Sequence, residues 1–387
     1  MAVRANPNLL EQLKRYGADD VTKCFHCGNC SATCPLSQDP FIFPRKSMRY
    51  LQMGLGDKLK ANLEPWLCYY CGDCSEQCPC EAEPGETMMS MRRWLTARYD
   101  FTMLSRLFYE SRTAEVAAII VVGILSGIGF YLLGVSSGGD FSSYPGFIPG
   151  HNAEYLTELG WDMKSVVFIM TIVLLGVMGI NAIRMWWFTT KSRKDLNIPV
   201  GTYLKYMFLC PWHFFTQKRY SECDKKKPWV IHLILMLSFV ALFVVFLVHM
   251  ICPENTSVHT YLGPLAANAL VSAAAFALKG RMNKTETHYK YSHHSDMNFL
   301  YMCLFVGLTG FIQHFAGRFE YGAFANSMYI LHMMGVVPMM VIQLPFTKWA
   351  HLVYRPYAMY LAAVQADAMA KREGAKDVAV VPHKQSA

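Results

Sequence analysis

Hydrophobic and polar positions divide the chain near residue 114. Before it, apolar residues come in short runs interrupted by charges. After it, six apolar stretches follow one another, near 114–135, 165–188, 229–252, 262–280, 297–316 and 326–347. A hydrocarbon layer about 30 Å thick is crossed by about 20 helical residues, so each stretch is long enough to span it. Lipid supplies no partner for an open strand edge, which leaves helices as the expected form. The fourth stretch, LGPLAANALVSAAAFALKG, is the weakest: alanine-rich, with Pro264 near its start. Upstream, FPRKSMRYLQMGLGDKL also has helical periodicity. The pattern predicts an all-α protein. A polar helical domain covers 1–113, a six-helix transmembrane bundle 114–360, and a tail 361–387, read as a short helix with a disordered end.

Charge orients this arrangement. The chain is 53% hydrophobic yet carries a net charge of +8, a combination that suits a membrane protein with basic loops better than a soluble one. Ten Lys/Arg lie between Arg184 and Pro228 and four within 279–296, whereas the other loops carry only Lys164 and Arg318. Positive loops stay inside, so both termini are expected in the cytoplasm, in a multi-pass inner-membrane protein. The start, MAVRANPNLLEQLKRYG, has no apolar core of a signal peptide, which agrees. Within the basic loop, TYLKYMFLCPWHFFTQKRY reads equally as a helix lying on lipid or as a loop packed under the bundle. Lipid is an expected partner and nucleic acid is not.

Thirteen cysteines would suggest disulfides in a small secreted chain, but nine of them fall within residues 24–80, most at two- or three-residue gaps. That is metal spacing, and it implies a reducing compartment. Residues 24–35 read CFHCGNCSATCP and residues 68–79 read CYYCGDCSEQCP, both C-x2-C-x2-C-x3-C-P. Thiolate is a soft, charge-donating ligand suited to iron–sulfur cubes, so two [4Fe–4S] clusters are expected. In two-cluster ferredoxins the fourth cysteine of each run serves the other cluster. One cluster then takes Cys24, Cys27, Cys30 and Cys78; the other takes Cys68, Cys71, Cys74 and Cys34. Structural zinc is the bland reading, and a doubled run ending in Cys-Pro argues against it. Cys80 is read as a spare buried thiol. Cys210, Cys223, Cys252 and Cys303 lack partner spacing and are read as ordinary.

Histidines inside apolar helices are costly and mark function by default. The third stretch carries His232 near its inner end and His249 near its outer end; the sixth region carries His332 near the outer end and His351 at the inner end. Four such imidazoles suffice for two bis-histidine b haems. On antiparallel helices His249 pairs with His332 and His232 with His351. The separations of 17 and 19 residues amount to about 25 and 28 Å of rise and set the pairs on opposite flanks. His314 is a rival outer ligand or a polar contact for quinone. His288, His293 and His294 are expected to be solvated, and His26 and His213 structural. No CxxCH occurs, which excludes c-type haem attachment.

With its long helical link between motifs, the cysteine region resembles the alpha-helical ferredoxin domain of heterodisulfide reductase small subunits and of succinate dehydrogenase iron–sulfur subunits. Phe43-Pro44-Arg45 matches a stretch that recurs in the former. The last helix, with His332, Pro345-Phe346-Thr347-Lys348 and His351, is similar to the nitrate reductase gamma family. It is still closer to the membrane subunits of heterodisulfide reductases and sulfite-reduction-linked complexes. The fusion of both parts resembles the membrane subunits of quinone-interacting membrane-bound oxidoreductases of sulfate reducers. The nitrate reductase family spaces its earlier histidine pair more closely than His232 and His249. The resemblance implies two b haems and menaquinol as electron source. It also implies heterodisulfide-reductase-like flavin and iron–sulfur partners, with adenylylsulfate reductase further on. No nucleophile, phosphate loop or catalytic acid–base pair is present, so an electron-relaying, quinone-handling subunit is expected. Two other classes compete: a redox sensor, which needs no intramembrane histidine pairs, and an ion transporter, which needs carboxylates where the spans offer only Glu115 at an edge. A heterodisulfide-reductase-type subunit of another respiratory chain remains open.

Overall fold

The computed structural model describes residues 4–136, 138, 140–142, 163–191, 193, 195–251, 257–319 and 321–372, without the side chains of 163–167 and 249–251. Helices dominate, and among the described residues no strand forms. In the first domain the helices are α1 (Leu9–Lys14), α2 (Arg45–Gln52) and α3 (Pro84–Tyr99). The membrane region follows with α4 (Arg112–Ser136), α5 (Met163–Trp186), α6 (Lys227–Ile251), α7 (Gly263–Asn283), α8 (His294–Arg318) and α9 (Gly322–Pro338). A last helix, α10, runs from His351 to Arg372. Six helical segments are long and apolar enough to cross a membrane: Arg112–Ser136, Phe168–Lys191, Lys227–Val248, Val258–Asn283, His294–Arg318 and Gly322–Phe346. They coincide with the six expected stretches.

The spans pack in the order α6, α7, α8, α9, α4. Lipid gives no hydrophobic drive between helices, so close approach depends on small residues. At Gly123 on α4 an added Cβ would stand 2.8 Å from the Met334 carbonyl oxygen of α9, so only glycine permits this contact. The second span, α5, instead packs on α3 and α10, with Arg184 at its C-terminal end donating to the Tyr99 carbonyl. The third and sixth spans, expected to face each other, are not among the closely packed pairs. The sixth is also no continuous helix to His351. It passes into a π turn at Met339–Gln343, a short helix at Leu344–Phe346 and a 3-10 turn at Lys348–Ala350. Pro345 removes a backbone donor here, and the changed winding makes the expected opposite-flank rotation from His332 to His351 inapplicable.

A single core unites the first domain with the end of the chain. Leu13, Met48, Trp66, Leu95 and Tyr99 pack with Tyr354, Ala358 and Leu361. Where a tail was expected from residue 361, α10 stays buried as far as Ala370. Charge locks this domain onto the bundle. Arg93 of α3 is buried, donating to Glu86 Oε1 (2.8 Å) and to Asp296 Oδ2 (2.9 Å) on α8. Lys348 reaches the other Asp296 oxygen at 2.5 Å. Burial opposes the Arg93 charge, but Glu86 and Asp296 outweigh it and hold the group above its ordinary range. Asp296→Ala leaves Lys348 without its carboxylate and Arg93 with Glu86 alone, and is expected to cost about 3–5 kcal/mol. Thermal unfolding of the detergent-solubilised protein measures it. Glu11→Ala, which breaks the exposed Glu11–Lys14 pair, should cost less than about 1 kcal/mol.

Candidate iron–sulfur and haem sites

The two cysteine motifs fold alike. His26 (φ 60°) and Tyr70 (φ 56°) occupy the same motif position in left-handed backbone, and so do Gly28 (φ 91°) and Gly72 (φ 97°). Each glycine caps a one-turn helix, Asn29–Ala32 or Asp73–Glu76. Two left-handed positions within three residues curl each loop tightly between its cysteines. The one-turn helices pack together, and the Asn29 amide donates to the Gln77 carbonyl across the two motifs. This packing sets the motifs side by side, so that Cys78 stands near Cys24 and Cys34 near Cys74. Burial and then neighbouring thiols, Cys78 among them, raise Cys24. Cys30 is pushed up to about 11 by burial, with Cys24 and Cys78 adding. Cys34 is pushed up to about 12 by burial, then by Cys68. Thiols held this high need the charge of bound iron to stay deprotonated. Among the described residues no three His, Cys, Asp or Glu side chains close around a single-ion site.

The two sites differ in setting. Cys27 is exposed and the adjacent Phe25 is 83% exposed, whereas Cys68, Cys71 and Cys74 are buried. Around the buried motif stand three arginines that the sequence did not mark. Arg92 and Arg355 both donate to the Cys68 carbonyl, and Arg219 donates to the Leu36 carbonyl at 2.7 Å. The Arg355 guanidinium lies 3.4 Å over the Tyr69 ring. Burial, then the Arg355 charge, lowers Arg92 to about 9. Cys223, read from sequence as ordinary, is buried and lies close enough to Cys71 to raise its thiol. Cys80 lies close enough to Cys24 to raise it.

His232 and His351 come together with ring centres 6.1 Å apart. Two metal–imidazole bonds of about 2 Å each, plus the rings, make roughly 6 Å between ring centres. His232 Nδ1 meets Gln217 Oε1 at 2.7 Å, and His351 Nδ1 donates to the Lys348 carbonyl. With Nδ1 held by an acceptor, Nε2 is left to bind a metal. The pair could therefore hold a metal ion between its two rings. Tyr69, His213, Gln217 and Arg355 line the same cavity as this pair. Burial, then Arg219, lowers His213 to about 4, so it stays neutral.

At the other end, His332 Nδ1 lies 3.1 Å from Thr309 Oγ1. Its ring rests on Gly310, where an added Cβ would come within 2.9 Å. The His249 side chain lies outside the described residues, and so does Cys252. His314 meets His259, ring centres 5.3 Å apart, a neighbour the sequence reading missed. The expectation of solvated loop histidines is corrected. His288 is buried, and His294 Nε2 donates to the Phe108 carbonyl at 2.8 Å while lying 3.6 Å from Glu115 Oε2. His293 caps α8 by accepting from the Ser295 amide.

Residues 20–82 match the family model described as a 4Fe–4S dicluster domain. The cysteine region is a dicluster iron–sulfur domain. A protein of Archaeoglobus profundus, described as similar to the C subunit of heterodisulfide reductase, is 37% identical over 105 residues, covering 26% of this chain and 56% of that protein. The chain thus spans about half the length of that curated relative. No solved structure matches it.

Proposed function

We propose that this chain is the membrane electron-transfer subunit of a quinone-linked oxidoreductase complex, relaying electrons between quinol and soluble redox partners. The observation that carries the reading is a shared cavity: Tyr69, between two cysteines of the buried motif, and the His232–His351 pair line the same space. Bound b haem and [4Fe–4S] clusters would supply the one-electron carriers. The protein holds and poises them. Tyr69 stacks on Tyr220 at 4.8 Å, and Tyr220 meets His232 at 6.1 Å, so the route from haem level to cluster is short and aromatic. Arg92, Arg219 and Arg355 counter the negative charge of a four-thiolate cluster and favour its reduced form. Cys27 and Phe25 offer an exposed exit from the other cluster.

Under this reading His249 and His332 hold a second haem at the outer level, and His314 with His259 contacts the quinol headgroup. Menaquinol as donor, heterodisulfide-reductase-like flavin and iron–sulfur subunits as partners, and adenylylsulfate reductase as eventual acceptor in sulfate reduction complete the proposal. An optical spectrum of the purified chain, reduced with dithionite, tests it. A sharp b-type alpha band over broad iron–sulfur absorbance is expected. Iron–sulfur absorbance alone would leave a redox sensor as the better account.

A further inference from the structure

An open groove of about 780 Å³ lies between the one-turn helix Asp73–Glu76 and the inner ends of α6 and α7. Lys225, Lys226, Lys227, Lys284 and Lys290 line it, against two carboxylates, Glu76 and Glu286. Lys225 pairs with Glu76 at 2.5 Å and Lys290 with Glu83 at 2.8 Å. Among the described residues no carboxylate pairs with Lys226, Lys227 or Lys284. Their height is fixed by the spans: Lys227 begins the third, and Lys284 follows the end of the fourth at Asn283. The Lys227 ammonium lies 4.8 Å over the Phe276 ring of α7. Below it, Val230 and Ile234 of α6 and Phe276 itself are exposed. Cations above an apolar helix face match the shape of an amphiphile.

We infer that this groove binds an anionic phospholipid with two phosphates, of the cardiolipin type. Lys226 and Lys227 take one phosphate, Lys284 the other, and the acyl chains lie along α6 and α7. An acidic protein segment would use the charges and leave the apolar face at bilayer depth unmatched. The site also touches the buried cysteine motif. Thr287 on its rim donates to Glu76, and an added Cβ at Gly72 would meet it at 3.0 Å. A lipid seated here therefore braces the loop between Cys71 and Cys74. The inference uses the membrane placement alone and stands apart from the electron-relay reading.

Native mass spectrometry of the full chain with Lys226→Gln, Lys227→Gln and Lys284→Gln together tests it. Each ammonium near an anionic lipid is worth about fivefold, so cardiolipin affinity should fall about a hundredfold, with phosphatidylethanolamine unaffected. Unchanged cardiolipin retention in the variant overturns the proposal. So does displacement of the lipid by inorganic phosphate at equal concentration, which would mark a free-anion site. Wild-type protein in nanodiscs gives a second reading that needs no variant. Thermal stability should be higher in an equal mixture of phosphatidylethanolamine and cardiolipin than in phosphatidylethanolamine alone, and no difference overturns the lipid site.

Discussion

His232→Ala and His351→Ala are each expected to abolish the same b-type spectral component, leaving about half of the haem bound. The two imidazoles stand at the spacing an iron between them requires, 6.1 Å centre to centre. They come from different elements, α6 and the first turn of α10, so neither can replace the other. Gln217→Ala serves as the graded case. It removes the acceptor at His232 Nδ1 while leaving Nε2 in place, and outer partners of this kind are worth about 10–100-fold in metal affinity. Weakened retention or a shifted potential is therefore expected, in contrast to outright loss. Haem-to-protein ratios and reduced-minus-oxidised spectra report both. If His232→Ala and His351→Ala remove different components, or neither does, the inner pair is not an axial pair.

Cys78→Ser is expected to damage the cluster of the other motif, held by Cys24, Cys27 and Cys30. The neighbours of each fourth cysteine lead to this. Cys78 is among the thiols that raise Cys24 and Cys30, and Cys34 is among those that raise Cys74. Serine is a poor ligand for a soft iron–sulfur corner, so about half of the bound iron should be lost or become labile. The exposed setting of Cys27 adds to that lability. Cys34→Ser should do the reverse, striking the cluster of Cys68, Cys71 and Cys74. Iron content and EPR of the two variants separate the cases. Retention of the Cys24-Cys27-Cys30 signal in Cys78→Ser, with loss of the other, would show that each motif closes its own site.

Much of this was legible along the chain because the forces behind it are local. Lipid demands about 20 apolar residues in a row, and six such runs became the six candidate spans. Cubane ligation demands thiols at two-residue gaps, and the doubled motif carries that spacing openly. The match of residues 20–82 to a dicluster domain followed from the same signal.

Other features depend on contacts between distant positions, where spacing carries no information. Arg93 finds Asp296 across 203 residues, and Arg355 finds Cys68 across 287. The sequence shows the charged members only as isolated charges with no spacing that links them to their partners. Cys223 was read as ordinary because its neighbour, Cys71, belongs to a motif far upstream. His293 and His294 sit in a polar run that looks solvated until the fold brings His293 against Tyr109 and His294 against Phe108 and Glu115. The sixth region read as one helix from His332 to His351, and a π turn and a 3-10 turn changed its winding. Apolar runs and thiol spacing thus set the membrane region and the cluster chemistry residue by residue. Tertiary packing alone decided which buried cations surround the second motif and which groups His294 meets, because burial makes unpaired charge and open valence too costly to leave without a partner.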